Sequence, residues 1–560
     1  MLCAACRSSL THSDAKLQLW YMQHSYLKNQ SAAASTEATI DQAAAAGYTG
    51  MVLWDSGISL LQNSSWNPSY MSQVVQYAQS KGLAVVPIVN DVGYDALLTN
   101  PNWAEGEGVI GTRFRVDPAG KTLQVVNSFP GLQNGGFESG QTGWFGYGDA
   151  GVSVDHAVAH TGSASVRIAS APRNARLSQS FVVTPWRQYH LRMFYKTRNF
   201  QGYSQVEIFG DNNSAYNRVN QELRPAANGG WTEWDYAFNS GPHASATILM
   251  GVWGGSQGDL WLDDISLEET ALVYAERGSG TPLSVYDPHN PAHIFQENTD
   301  FGAISDPQFS GAPPYFQDNW HPPMAVPVPP GSSLQPNQTV AMNWYAIQPV
   351  YGRASVSLAD PELLQWRARN AAAVNMVFPN PAGYFFAYDE MRNMNSTASA
   401  KAMHMTPAQL LDWHLNQSYA LYRGITPNAP IYVWGDMFDP NMNAVNNYYL
   451  VEGDLSGSWT GLPGDAIIMN WNLGALRKSA EWFCGKTSRQ PVSHRQVIAG
   501  YFDSRNGGAS ATTELAQVSG IPGIIGLMYT TWQDDYSQLA AFAGAARAGW
   551  GAYLGSVPAK

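Results

Sequence analysis

Cysteine is nearly absent: Cys3, Cys6 and Cys484 are the three in 560 residues, too few for a disulfide framework. Cys3 and Cys6 form a C-x-x-C, but no second pair supplies the remaining ligands of a zinc site. Charge is also scarce, at 13% of residues, with a formal net charge of -12. No Lys/Arg block reverses that sign locally, so the chain repels a phosphate backbone and nucleic acid is excluded as a partner. Nowhere do about 18 apolar residues run without interruption, which excludes a membrane-spanning helix. Residues 1–15 lack the apolar core of a secretory signal and read as a disordered leader. No glycine-rich loop between a strand and a helix suggests a nucleotide. His404 and His414 are ten residues apart, which suits no simple metal pair, and no cofactor is expected for catalysis.

What is present is a long chain rich in neutral polar and aromatic side chains, with 20 Trp and 28 Tyr. Such a length predicts a large catalytic domain with at least one smaller module. Tyr and Trp in quantity suit stacking on the faces of neutral sugars. From Leu17 onward apolar strands alternate with amphipathic helices: strands at 17–22, 50–55 and 83–90, helices at 36–47 and 68–82. Repeated βα units imply a parallel sheet. After about Val126 the period shortens to alternating strands at 164–170, 188–196, 203–210, 246–254 and 259–267, the pattern of an antiparallel β-sandwich. The βα pattern returns with helices at 361–377 and 407–422 and strands at 383–390, 430–436, 465–471, 496–503 and 524–531.

These strands sum to eight, which predicts an α/β fold: a (β/α)8 TIM barrel interrupted after strand three by a jelly-roll β-sandwich. The expected boundaries are a first barrel segment at 16–126, the inserted module at 127–270, a Pro-rich connecting segment at 271–345 and a second barrel segment at 346–560. Loops after barrel strands emerge on one face, so the module is expected beside the mouth where strands end. The Pro-Pro pairs within 310–333 favour extended geometry along the surface. The run 339–347 does not fit the eight and reads as an extra strand outside the barrel.

Asn134-Gly-Gly-Phe-Glu138, Trp144, Thr161-Gly-Ser-Ala-Ser-Val-Arg167 and Gly258-Asp-Leu-Trp-Leu-Asp-Asp-Ile265 resemble jelly-roll carbohydrate-binding modules of families 4 and 9. That resemblance implies a structural calcium ion held by Glu138 and Asp264, since Ca²⁺ takes several hard oxygen ligands. Trp144, Trp231, Trp234, Trp253 and Trp261 are the aromatics of the module; alternation along strands buries part of them.

Asp389 and Glu390 end the fourth barrel strand, in Gly383-Tyr-Phe-Phe-Ala-Tyr-Asp-Glu390. An Asp-Glu pair at this place is similar to the β-N-acetylhexosaminidases of glycoside hydrolase family 20. Tyr432-Val-Trp-Gly-Asp436 after strand five and Tyr529-Thr-Thr-Trp-Gln-Asp534 after strand eight extend the likeness. The resemblance implies that Glu390 protonates the glycosidic oxygen while Asp389 orients a 2-acetamido group, and that the protein is secreted or periplasmic. The family's strand-one arginine has no counterpart in residues 17–23. If the substrate carries no acetamido group, Asp503 after strand seven is the nucleophile or base, since a barrel glycosidase works with a pair of carboxyls.

Other strand-end residues are candidate substrate contacts at the mouth: Trp434, Asp436, Trp471, Tyr501, Tyr529, Trp532 and Asp534, with Asp55 and Asn90 from strands two and three. Adjacent residues on a strand point to opposite sides, so Asp389 and Glu390 share one site only if the strand end twists. The expected activity is hydrolysis of a β-linked bond in a neutral oligo- or polysaccharide; the alternative is an inert carbohydrate-binding protein. Sequons at Asn63, Asn337 and Asn395 matter only in a glycosylating pathway.

Overall fold

A computed structural model describes residues 16–63, 65–89, 92–93, 100–211, 217–306, 320–485, 489–503 and 510–557. The expected leader 1–15 and the strand-three residue Asn90 lie outside the described residues.

Eight parallel strands close into a barrel. They are β1 (Gln18–Ser25), β2 (Gly50–Asp55), β3 (Ala84–Val89), β4 (Tyr384–Phe386), β5 (Ile431–Trp434), β6 (Ile467–Asn470), β7 (Arg495–Tyr501) and β8 (Ile524–Thr530). Alternate side chains fill the interior: Trp20 and Met22, Val52, Val86 and Ile88, Phe385 and Ala387, Tyr432 and Trp434, Ile467 and Met469, Val497 and Ala499, and Met528. The residues between them, such as Leu19, Tyr21, Leu527 and Tyr529, pack outward under the helices. This two-residue period is the pleat of a strand buried on both faces.

Helices cover the barrel where the sequence supplies starts for them. The helix Gln30–Ala45 is capped by the Asn29 side chain, and Pro361–Val377 by Asp360, whose carboxylate accepts the amides of Glu362 and Leu363 at 2.9 Å. Thr406 and Gln409 form a reciprocal capping box that opens the helix Pro407–Ile425. The expected (β/α)8 alternation fails at one place. Between β5 and β6 the chain makes two short 3-10 turns, Asp436–Phe438 and Ser458–Gly461, and no α-helix. Gly457 stands at φ 100° and Pro440 and Pro463 punctuate this stretch, and such residues favour turns over a continuous helix.

The inserted region divides differently from the sequence expectation. Residues expected to finish the first barrel segment and to form a Pro-rich connector instead pair into a seven-stranded sheet. Gly106–Val116 lies antiparallel to Thr339–Ile347, the run that fitted no barrel position. Thr122–Val125 pairs on one side with Gly106–Val116 and on the other with the proline-bearing Val326–Pro327 at the sheet edge, a place where proline's missing donor costs little. Its core, including Phe114, Trp344, Val340 and Phe295, is separate from that of the barrel.

The sandwich proper holds a third core around Leu177, Val206, Ile248 and Leu262. Its pairs of expected short strands merge into two long ones, Gln188–Gly210 and Ser245–Thr270. Their mutual register shifts between Trp253 and Ser256 and again before Asp259, where Gly254, Gly255 and Gly258 adopt positive φ. Each long strand therefore bends instead of ending. The sandwich is fastened to the sheet and the barrel side by polar contacts. Arg218 pairs with Glu107 in a buried ion pair, Asn239 donates to the Gly108 carbonyl at 2.9 Å, and the Tyr236 hydroxyl donates to the Pro349 carbonyl at 2.6 Å.

Candidate functional site

At the carboxyl ends of the barrel strands lies a cavity of about 630 Å³. Strand alternation selects most of its lining. Continuing the interior rows outward gives His24, Trp54 and Ser56, Asp389, Trp471, Tyr501 and Thr530, which line the cavity with Trp434 and Ala499 of the rows themselves; Ser25, from the opposite row, lines it too. Trp532, Arg353 and Glu390 join them from loops.

Asp389 continues the inward row of Phe385 and Ala387, and it is buried. By alternation Glu390 would point away. Its backbone instead adopts φ 43°, and the residue also lines the cavity. That left-handed conformation costs a non-glycine residue about 1 kcal/mol or more, and three contacts hold it. The Glu390 amide donates to Asp436 Oδ2 at 2.9 Å, Arg392 pairs with Glu390 Oε1 at 3.0 Å, and the Arg392 guanidinium lies over the Tyr351 and Tyr449 rings at 4.9 and 5.2 Å. Behind Asp389, Gly93 leaves the space: a Cβ there would collide with the Asp389 carbonyl oxygen.

Several strand-end candidates take other roles. Asp436 lies beneath the cavity, accepting from the Glu390 amide, from Asn443 at 2.8 Å and from Trp471 Nε1 at 3.2 Å. It positions Glu390 and the Trp471 wall. Burial, and next the Glu390 charge, push its carboxyl up to about 7. A carboxyl raised on folding contributes stability that is full below the ordinary carboxylate range and is lost as pH rises through about 7. Thermal melts between pH about 5 and about 8 are therefore expected to fall less steeply in Asp436→Asn than in the wild type; equal slopes would remove this assignment.

Asp503 is turned away from the expected nucleophile role. Its carboxylate accepts from the Thr531 hydroxyl, from the Trp532 amide at 2.7 Å and from the Gln533 amide at 3.4 Å, so it caps the turn that carries Trp532. Asp55 points outward by alternation and ties β1 to β2 through Ser25 Oγ, the Leu27 amide and the Gly57 amide at 2.6 to 2.8 Å. Tyr529, also outward, is fully buried, stacks on Phe502 and donates to the Asp535 carbonyl. Asp534 sits at the exposed rim, 3.4 Å from His24 Nδ1.

The cavity walls are aromatic. Trp54 and Trp532 meet edge to face at 5.3 Å, with His24 against both, and Trp532 and Tyr501 remain 45% and 49% exposed. Trp434 is buried, and its indole N–H finds no acceptor among the described residues. His24 and Trp54 were absent from the sequence candidates, although counting alternate residues from Trp20 and Val52 reaches both. Arg353 gave no such signal, because it arrives on a loop leaving the inserted sheet.

In the sandwich, Trp144 and Trp261 are core residues, and Trp231, Trp234 and Trp253 are half-buried. Glu138 and Asp264 both approach the turn 160–164, but donors already engage their oxygens. Glu138 accepts from the Ser163 amide and hydroxyl and the Ala164 amide, while Asp264 accepts from Thr161 and contacts His160 Nδ1 at 2.6 Å. Those partners also hold the Glu138 carboxyl below its usual range, the Ser163 hydroxyl most of all. Among the described residues no three His, Cys, Asp or Glu side chains gather as a metal site would require. A calcium ion between Glu138 and Asp264 does not fit this donor set.

Among the described residues no helix is long and apolar enough to cross a membrane. A comparison with curated proteins finds no match. Solved structures similar to part of this chain include a family 16 carbohydrate-binding module, 23% identical over 24% of this chain and 97% of its own, with a TM-score of 0.21. The N-terminal cellulose-binding domain of Cellulomonas fimi β-1,4-glucanase C is 17% identical over 25% of this chain and 97% of its own, TM-score 0.20. The xylan-binding domain CBM22-1 of Paenibacillus barcinonensis Xyn10C is 17% identical over 26% and 97%, TM-score 0.20. Residues 130–256 match the sequence family described as a carbohydrate binding domain, so the inserted sandwich is a module of carbohydrate-binding type.

Proposed function

We propose that the chain is a glycoside hydrolase of the (β/α)8 TIM-barrel kind, acting on a neutral β-linked glycan, with Glu390 as general acid. The observation that carries this reading is the pair Asp389 and Glu390 lining one aromatic-walled cavity, the second at φ 43° and clamped by Arg392 and Asp436. Flat indole and phenol faces suit the apolar faces of pyranose rings, and the unpaired Trp434 donor suits a sugar oxygen. In this reading the sandwich holds the same glycan, and the protein works outside the cytoplasm. The capping role of Asp503 leaves Asp389 as Glu390's carboxylate partner in the cavity lining. That supports assistance by a substrate 2-acetamido group, which Asp389 orients, over an enzyme nucleophile.

A screen of aryl β-glycosides with and without the 2-acetamido group tests this. Turnover confined to the acetamido substrates is expected. Turnover of the plain glycosides alone would require a second carboxylate and sink the assignment of Asp389. A second reading, a non-catalytic carbohydrate-binding protein, is favoured by the restriction of the family match to residues 130–256. It stands if no glycoside is cleaved while a soluble glycan still retards the protein in a gel.

A further inference from the structure

The loop 348–353 touches the module at one end and the cavity at the other. The Gln348 side chain accepts the Asn239 amide at 2.9 Å, and the Pro349 carbonyl accepts the Tyr236 hydroxyl at 2.6 Å; both donors belong to the sandwich. Four residues after Pro349, Arg353 lines the cavity beside Asp389 and Glu390. Between these anchors stands Tyr351, held at φ 53° by the turn in which Val350 and Arg353 bond each other. Its ring is half-buried, 6.2 Å from Tyr449, and both rings carry the Arg392 guanidinium that pairs with Glu390.

On the module, Val206, Ile248, Met250 and Val252 point into the sandwich core. The alternate positions therefore form the opposite sheet face, where Tyr203 stands directly across from Trp253. Tyr203 is 43% exposed, and Arg176 lies over the Trp253 ring at 5.5 Å. Gln205, Asn220 and Glu207 continue that face with amides and a carboxylate bonded to one another. Burial most of all, then Tyr449, push the Tyr351 phenol up, and Tyr203 adds to that rise.

We propose that Tyr351 and Tyr449 form a glycan subsite joining the barrel cavity to the Tyr203–Trp253 face of the module, so that one extended sugar chain occupies both. The proposal rests on the reading of cavity and module as sugar sites and goes beyond it: the ligand is a long chain laid across a fixed surface. It is neither a single terminal sugar nor two chains bound independently. Three features favour a polymer. Aromatic side chains stand in the cavity, on the loop and on the module face, amides and a hydrogen-bonded carboxylate continue that face, and buried hydrogen bonds tie the module to the loop that reaches the cavity. A locked module fixes the distance between the two ends, which is the condition under which linked sites reinforce one another.

The test uses the full chain and isothermal titration with members of one β-linked oligosaccharide series, long and short, chosen from cello-, xylo- and chito-oligosaccharides by gel retardation with the corresponding polymers. The long oligomer is expected to bind at least about tenfold more tightly than the short one. Trp253→Ala is expected to remove most of that advantage while leaving the short oligomer's affinity unchanged, and Tyr351→Ala is expected to remove most of it as well. Tyr351→Phe, which keeps the ring, is expected to retain it, and melting curves check that each variant folds. Equal affinities for long and short oligomers, or an advantage untouched by both Ala variants, overturns the bridging subsite alone. Failure of every glycan to bind the wild type overturns the functional reading beneath it.

Discussion

Replacing Glu390 by Gln is expected to reduce turnover of an activated aryl 2-acetamido-β-glycoside by about a thousandfold, within the range general acid catalysis supplies. Gln keeps the volume and an oxygen for Arg392 but cannot give a proton to a leaving group. The backbone amide of residue 390 still donates to Asp436, so the loop should keep its shape. Arg392 is buried, but Gln still offers it an oxygen, so the loss of stability is expected to be small beside the fall in turnover. The checks are kcat and KM beside a melting curve. A Tm near that of the wild type with kcat collapsed supports Glu390 as the acid. An unchanged kcat removes it from the chemistry.

Arg218→Ala is expected to destabilise the protein by about 3 kcal/mol, measured by urea denaturation. Arg218 and Glu107 are 5% and 4% exposed at their side chains, and they join the sandwich to the neighbouring sheet. Truncating the arginine leaves a carboxyl buried without its charge partner. Burial already pushes the Glu107 carboxyl up against the opposing pull of Arg218, so in the variant Glu107 takes a proton. That keeps the loss toward the lower end of the roughly 3–5 kcal/mol typical of broken buried pairs. The double variant Arg218→Met with Glu107→Gln is expected to recover much of it. If Arg218→Ala unfolds at the wild-type urea concentration, the pair does not fasten the module.

The barrel was readable because its strands are buried on both faces and alternate with helices. Apolar runs at 50–55 and 83–90 are local signals, whereas the helix capped by Asn29 starts at Gln30, ahead of the expected 36. The sandwich was readable from strand alternation and from motifs that lie close together in sequence. The sheet built from 106–125 and 275–347 was not. Its two main strands, Gly106–Val116 and Thr339–Ile347, are more than two hundred residues apart, and nothing local pairs them. Proline pairs dominate the intervening pattern and disguise the short strands at its edge.

The sequence by itself determined the building blocks: eight parallel strands, an inserted module of carbohydrate-binding type, and an Asp-Glu pair at the end of the fourth strand. Tertiary structure alone decided which strand-end residues share the cavity, because direction depends on the pleat of each strand and on where it stops. Alternation sends Trp54 inward and Asp55 outward, Thr530 inward and Tyr529 outward. Glu390 escapes alternation only through a left-handed backbone that Asp436 and Arg392, from elsewhere in the fold, hold in place. Arg353 and Tyr351 reach the mouth only because a separate sheet delivers their loop there, a long-range pairing that no local pattern encodes.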